Sequence, residues 1–128
     1  MVPATTAHDD ERALAILSLV RAGTAYVKLS APYRLDAAGF PASSLVDRWA
    51  ASFVEAAPRQ VLWGSDWPHT NRDPGRNAHE VSRYRDVPDE ELGRANRRWF
   101  PNDALLQQVL VANPTQLYQP VAHIIART

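Results

Sequence analysis

The amino-acid sequence predicts an α/β fold, and three observations carry that prediction. Apolar residues recur at i, i+3, i+4 and i+7 in separate stretches, the spacing of one helix face. Two short runs rich in strand-forming residues, 25–30 and 61–63, lie between those stretches. Each run follows a helical pattern and empties into a loop, the alternation expected of a parallel sheet with helical crossovers.

Ala13, Ile16, Leu17 and Val20 make the first apolar face, behind Asp9, Asp10 and Glu11, whose charge complements the positive end of a helix dipole. Gly23 is the natural stop, because a left-handed residue there needs no Cβ. Ala25 to Ser30 follow as a strand, with Val27 and Leu29 on one face and Tyr26 and Lys28 on the other. Pro32, Gly39 and Pro41 mark a loop. Ser43 or Ser44 can cap a helix running through Val46, Trp49, Ala50 and Phe53, which Pro58 closes. Val61, Leu62 and Trp63 then form a brief buried strand ending in Gly64, Ser65 and Asp66.

The stretch from Pro68 to Val87 is a long loop rich in turn formers and charge, and loops of that length are commonly functional. Pro88, Asp89, Glu90 and Glu91 open another helix, with Arg94, Arg97 and Arg98 toward its end, the charge order its dipole favours. Asn102 or Asp103 starts a last helix through Leu105, Leu106, Val109 and Leu110. Pro114 is expected to disrupt or end it before Leu117 and Tyr118. The tail from Val121 to Thr128 carries no motif.

Composition narrows the function. A chain of 128 residues that is 45% hydrophobic can build one globular core. Its 14 basic and 14 acidic side chains cancel, so no global field collects nucleic acid, an anionic membrane or a strongly charged substrate, and any ligand charge must be met locally. With no cysteine there is no disulfide, thiolate nucleophile or Cys-ligated zinc. The first ten residues lack a basic lead into an apolar stretch, and no run approaches the roughly 18 apolar residues that span a bilayer, so a cytoplasmic location is expected.

The residues that carry chemistry sit just past the two strands: Tyr33 and Arg34 after the first, Asp66 and His69 after the second. In parallel α/β folds the carboxyl ends of strands gather on one rim, so these four can share a site. A carboxylate there can take a proton from an attacking water or bind a divalent metal. Arg34 can grip an anionic group bidentately, and His69 can donate a hydrogen bond. Each has a plainer reading, as turn, surface or loop-capping residue.

Other patterns carry less. Ser65 lacks the second glycine of Gly-x-Ser-x-Gly, and His79-Glu80 begins a zinc-protease pattern whose last ligand position holds Arg83. Arg94, Arg97 and Arg98 read as a solvated helix face, and Trp49 and Phe53 as core. No Gly-x-Gly-x-x-Gly or Walker segment occurs.

The ten residues from Val61 to Thr70, with Gly64-Ser65-Asp66-Trp67-Pro68-His69 at their centre, resemble the last-strand signature of the amidohydrolase-related family. The resemblance is nearest to the branch that includes 2-pyrone-4,6-dicarboxylate lactonase. Val27 to Leu35 is similar to the preceding strand of that family, and Val109 to Pro114 through Leu117 and Tyr118 to its closing helix. The resemblance implies a partial TIM-type (β/α)8 barrel, with residues 1–128 as its C-terminal strands and helices.

It further implies that Asp66 is the general base toward water in attack on a lactone, ester or amide carbonyl, and also a ligand in metal-dependent relatives. Arg34 would hold a substrate carboxylate, His69 would be a secondary contact, and Tyr33 and Trp67 would shape the pocket. The lactonase branch implies no cofactor; the alternative is a divalent metal such as zinc. The family's His-x-His pair has no counterpart among His8, His69, His79 and His123. A whole barrel takes about 250 residues, so this chain is expected to be a fragment, incomplete alone or associating with another copy. The alternative expectation is a noncatalytic, truncated remnant that self-associates and binds small molecules.

Overall fold

The computed structural model describes residues 11–119; the readings placed on His8, Asp9, Asp10, His123 and the tail lie outside the described residues. Helix α1 (Glu11–Arg21) buries Ala13, Leu17 and Val20, the face its spacing marks. The chain reverses at Gly23, whose φ of 72° is the left-handed conformation that glycine adopts without strain. Strand β1 (Val27–Ser30) starts two residues later than the apolar run suggests.

A one-turn helix, α2 (Pro32–Leu35), stands where the sequence reads as a loop. The physical reason is local: Pro32 has no N–H to satisfy at the start of a helix, and the Asp36 N–H closes the turn on the Pro32 carbonyl at 3.1 Å. Helix α3 (Ser44–Ala56) is capped by Ser43, whose Oγ accepts from the Val46 N–H at 3.3 Å and donates to Asp36 Oδ2 at 2.6 Å. The Asp36 carboxylate, which also accepts from the Gly39 N–H, is held below its ordinary pKa by the Ser43 hydrogen bond first. A 3₁₀ turn (Pro58–Gln60) leads into strand β2 (Val61–Gly64).

The strands are parallel and in step, Val27 beside Val61 and Ser30 beside Gly64. The intervening residues 31–60 make a βαβ crossover, the connection parallel strands require. Val27, Leu29 and Trp63 pack against the helical core that contains Leu17, Val20, Trp49, Phe53, Val61 and Phe100. No helix or strand forms between Gly64 and Asp89.

Helix α4 (Asp89–Trp99) follows Pro88 and is tied to α3 through Asp47, which accepts from Arg98 Nε at 2.9 Å and Trp99 Nε1 at 2.7 Å. Arg98 is therefore an internal tie, and Arg94 pairs with Glu90 and Glu91 on its own helix. Asn102 caps α5 (Asp103–Gln107) by accepting from the Leu105 N–H. Pro114 disrupts the helix without ending it. A π-helical turn (Gln108–Ala112) precedes α6 (Asn113–Tyr118), and the widened ring gives space for a proline that would clash with the carbonyl four residues back in a regular α-helix.

Asn113, fully buried, donates through Nδ2 to the Pro58 and Val61 carbonyls at 2.7 and 2.6 Å and accepts from Gln108 Nε2. The closing helix is thereby fastened to the start of β2. Among the described residues the sheet has two strands, so β1 has one unpaired edge. A cleft of about 460 Å³ runs along β1, with Ile16, Leu45, Trp49 and Phe53 in its apolar part and Arg34 and Asp66 at its polar end. No helix of the described residues is long and apolar enough to cross a membrane.

Candidate functional site

Because β1 and β2 end in register, the segments that leave Ser30 and Gly64 start side by side. Both then turn sharply through left-handed residues that are not glycine: Ala31 at φ 50°, Asp66 at 65° and His69 at 57°. Each such residue costs on the order of 1 kcal/mol, and strain of this kind collects at sites where side chains must be aimed. The second turn closes when the His69 N–H donates to the Asp66 carbonyl at 2.7 Å. Ser65 Oγ accepts from the Trp67 N–H at 3.1 Å, a turn contact consistent with its exclusion as a nucleophile.

The turns bring Tyr33, Arg34, Asp66 and His69 together. Tyr33 Oη donates to Asp66 Oδ2 at 2.7 Å, and Arg34 Nε donates to the same oxygen at 2.9 Å. Arg34 Nη2 donates to both the carbonyl and the hydroxyl oxygen of Thr70, at 2.6 and 3.0 Å. Arg34 thus clamps the strand-end loop as well as the carboxylate. Among the described residues, the side-chain bonds to Asp66 fall on Oδ2, and Asp66 lines the cleft.

Burial works to raise the Asp66 pKa, but hydrogen bonds from Tyr33 and Arg34, with the charges of Arg34 and His69, outweigh it and bring the carboxyl below its ordinary value. Asp66 is a carboxylate throughout the neutral range. Burial, followed by the bond and charge of Asp66, pushes the Tyr33 phenol up to about 12, so Tyr33 keeps its proton. Arg34 is raised, chiefly by its bond to Asp66.

The His69 ring Nδ1 lies 3.0 Å from Tyr33 Oη, and both residues are buried. A phenol has one hydrogen. With the phenol hydrogen directed to the Asp66 carboxylate, the second bond runs from His69 Nδ1–H to the phenol oxygen, so a neutral His69 ring carries its hydrogen on Nδ1 and has Nε2 as an acceptor. Phe40 and His69 both meet the Tyr33 ring edge-to-face, at 5.6 and 5.9 Å. Tyr33 is consequently an internal support for the other two side chains.

Trp67 is not part of this group. Its side chain is 79% exposed and stands outside the hydrogen-bonded cluster. Two participants have no signal in the sequence. Thr70 receives Arg34, and Arg85, fifteen positions further along the loop, donates its backbone N–H to the His69 carbonyl at 2.8 Å with its guanidinium 5.4 Å from the Tyr33 ring centre. Only the path of the loop brings Arg85 back. Among the described residues no three His, Cys, Asp or Glu side chains are grouped to hold a metal ion, and His69 Nδ1 is already engaged by Tyr33. Asp66 would be the one carboxylate of this cluster to offer such an ion.

Residues 2–119 match the family model described as amidohydrolase. The chain is 35% identical over 95 residues to a 4-sulfomuconolactone hydrolase of Rhizobium radiobacter, covering 73% of this chain and 28% of that protein. It is 26% identical to a D-galactarolactone isomerase of Agrobacterium fabrum over 87% of this chain and 35% of the relative. To a 2-pyrone-4,6-dicarboxylate hydrolase of Comamonas testosteroni it is 35% identical, over 73% of this chain and 30% of the relative. The aligned part is about a third of the length of these curated relatives. No solved structure matches.

Proposed function

This chain belongs to the amidohydrolase family, within its lactonase-like part, and we propose that it takes part in opening the ring of a small lactone that carries an anionic substituent. The observation that carries the reading is the Asp66 carboxylate, held ionised by Tyr33 and Arg34 through one oxygen and lining the cleft. A water beside Oδ1 gives its proton to Asp66 as its oxygen bonds to the lactone carbonyl carbon. The tetrahedral adduct collapses by breaking the ring acyl–oxygen bond, and Asp66 returns the proton to the departing ring oxygen. The product is an open hydroxy acid, or its keto tautomer where the ring oxygen was enolic.

Arg34 positions Asp66 and has Nη1 left for a substrate anion. With its hydrogen on Nδ1, a neutral His69 has Nε2 as an acceptor for a substrate hydroxyl or a water, and Trp67, exposed next to Asp66, is open to a bound ligand. The two-stranded sheet and the cleft along β1 fit the C-terminal portion of a TIM-type barrel, in which further strands continue from the β1 edge and contribute to the site. One relative is named as a D-galactarolactone isomerase, and an isomerisation consumes no water. Turnover in H₂¹⁸O separates the two chemistries. One ¹⁸O per product carboxylate is expected for hydrolysis; an isomeric lactone free of ¹⁸O would overturn it.

A further inference from the structure

Resting on the lactone reading above, we propose that Arg85 forms an anion subsite beside the Tyr33–Asp66–His69 cluster, one that receives a carboxylate or sulfonate on the substrate. Three observations lead there. The Arg85 guanidinium lies over the Tyr33 ring at 5.4 Å, where the ring face favours a cation and covers it from water. Its Nε is buried without a hydrogen-bond partner, and among the described residues no carboxylate pairs with it. Arg34, the other guanidinium at the Tyr33 ring, has a carboxylate partner in Asp66. A guanidinium partly removed from water and left with unused donors is the arrangement that an anionic ligand completes.

The charge count points the same way. Around the Tyr33 ring stand two guanidinium groups, Arg34 and Arg85, against one carboxylate, Asp66, an excess of one positive charge in a chain whose formal net charge is zero. Arg34 commits Nε and Nη2 to Asp66 and Thr70 and keeps Nη1, so Arg85 is the less engaged of the two cations. Its backbone bond to His69 holds the loop in place beneath the side chain. A substrate with two anionic groups would set one against Arg34 Nη1 and the other against Arg85, with the lactone carbonyl between them near Asp66 Oδ1.

The test uses the 128-residue chain and two rigid, unreactive probes, benzene-1,3-dicarboxylate and benzoate, with affinities measured by calorimetry. The dianion is expected to bind about tenfold or more tightly than benzoate, the size of one charge-assisted contact. Arg85→Met, which keeps a long apolar stem on the Tyr33 ring, is expected to erase that preference, and Arg85→Lys to keep part of it. A preference unchanged in Arg85→Met overturns the subsite. The Arg85 Nε–H resonance of the unmodified chain gives a readout that needs no variant: it is expected to shift saturably with the dicarboxylate, and a resonance that does not move overturns the proposal. Arg85-dependent dianion binding without lactone turnover would leave the subsite standing while removing the hydrolase reading; turnover with no Arg85 dependence of binding would do the reverse.

Discussion

Asp66 occupies a left-handed backbone conformation so that its carboxylate meets Tyr33 and Arg34. Both bonds stabilise the charged form, so the carboxyl titrates below its ordinary range. The sign follows directly. A folded-state pKa below the unfolded value contributes stability that is present above the unfolded value and lost as pH falls through the folded one. The ionised base likewise persists to low pH, and the acid limb of turnover should fall below the ordinary carboxylate range. Tyr33→Phe removes the first of the lowering contacts while burial still raises the group. The Asp66 carboxyl pKa, followed by ¹³C NMR, is expected to rise in that variant, with the acid limb moving up alongside it. An unchanged titration would show that the phenol does not hold the carboxylate.

The sequence marks Asp66, Arg34 and His69 because each lies within a few residues of a strand end, where local order suffices to place it. Tyr33 as a support, with its ring packed on Phe40 and His69, is not legible. Its contacts span 33 and 36 positions and depend on how two turns face each other. Arg85 is less legible still, since a loop with no periodic pattern carries it back to His69.

At the scale of elements, the helices are readable because their apolar spacing coincides with their buried faces, as in Ala13, Leu17 and Val20. Helix α2 and the π turn are not. A single turn is too short to show a period, and proline forbids a regular helix without saying whether the chain stops or widens. The widening matters, since it is followed by Asn113, whose side chain takes the place of a neighbouring strand in satisfying the Pro58 and Val61 carbonyls. Asn113→Ala would leave those buried acceptors unpaired and open a small void. The expected loss is about 1–3 kcal/mol, read by urea unfolding, with β2 and therefore Asp66 less firmly held. A loss under about 0.5 kcal/mol would mean that α6 is fastened by packing alone.

At the scale of the whole molecule, a parallel pair of strands in register packs against a helical core and leaves a cleft along β1. An apolar-walled cleft with a few polar groups at one end is the usual form of a small-molecule site. An uncharged polarity-sensitive dye such as Nile red is expected to bind the 128-residue chain with a rise in fluorescence. Leu45→Arg, which puts a charge into the cleft wall, should reduce that rise several-fold without lowering the melting temperature by more than a few degrees. Equal dye binding by the two proteins would place the apolar surface elsewhere.

The family assignment and the site geometry meet at one side chain. The reading that Asp66 activates water for lactone opening is tested most directly by single-turnover rates of ring opening for the protein and for Asp66→Asn. The amide keeps the shape and can still accept from Tyr33 and Arg34, but it cannot take a proton. The chemical step is expected to slow by about 10²-fold or more, with anion binding retained. An Asp66→Asn protein that opens the lactone at the unmodified rate would contradict that reading.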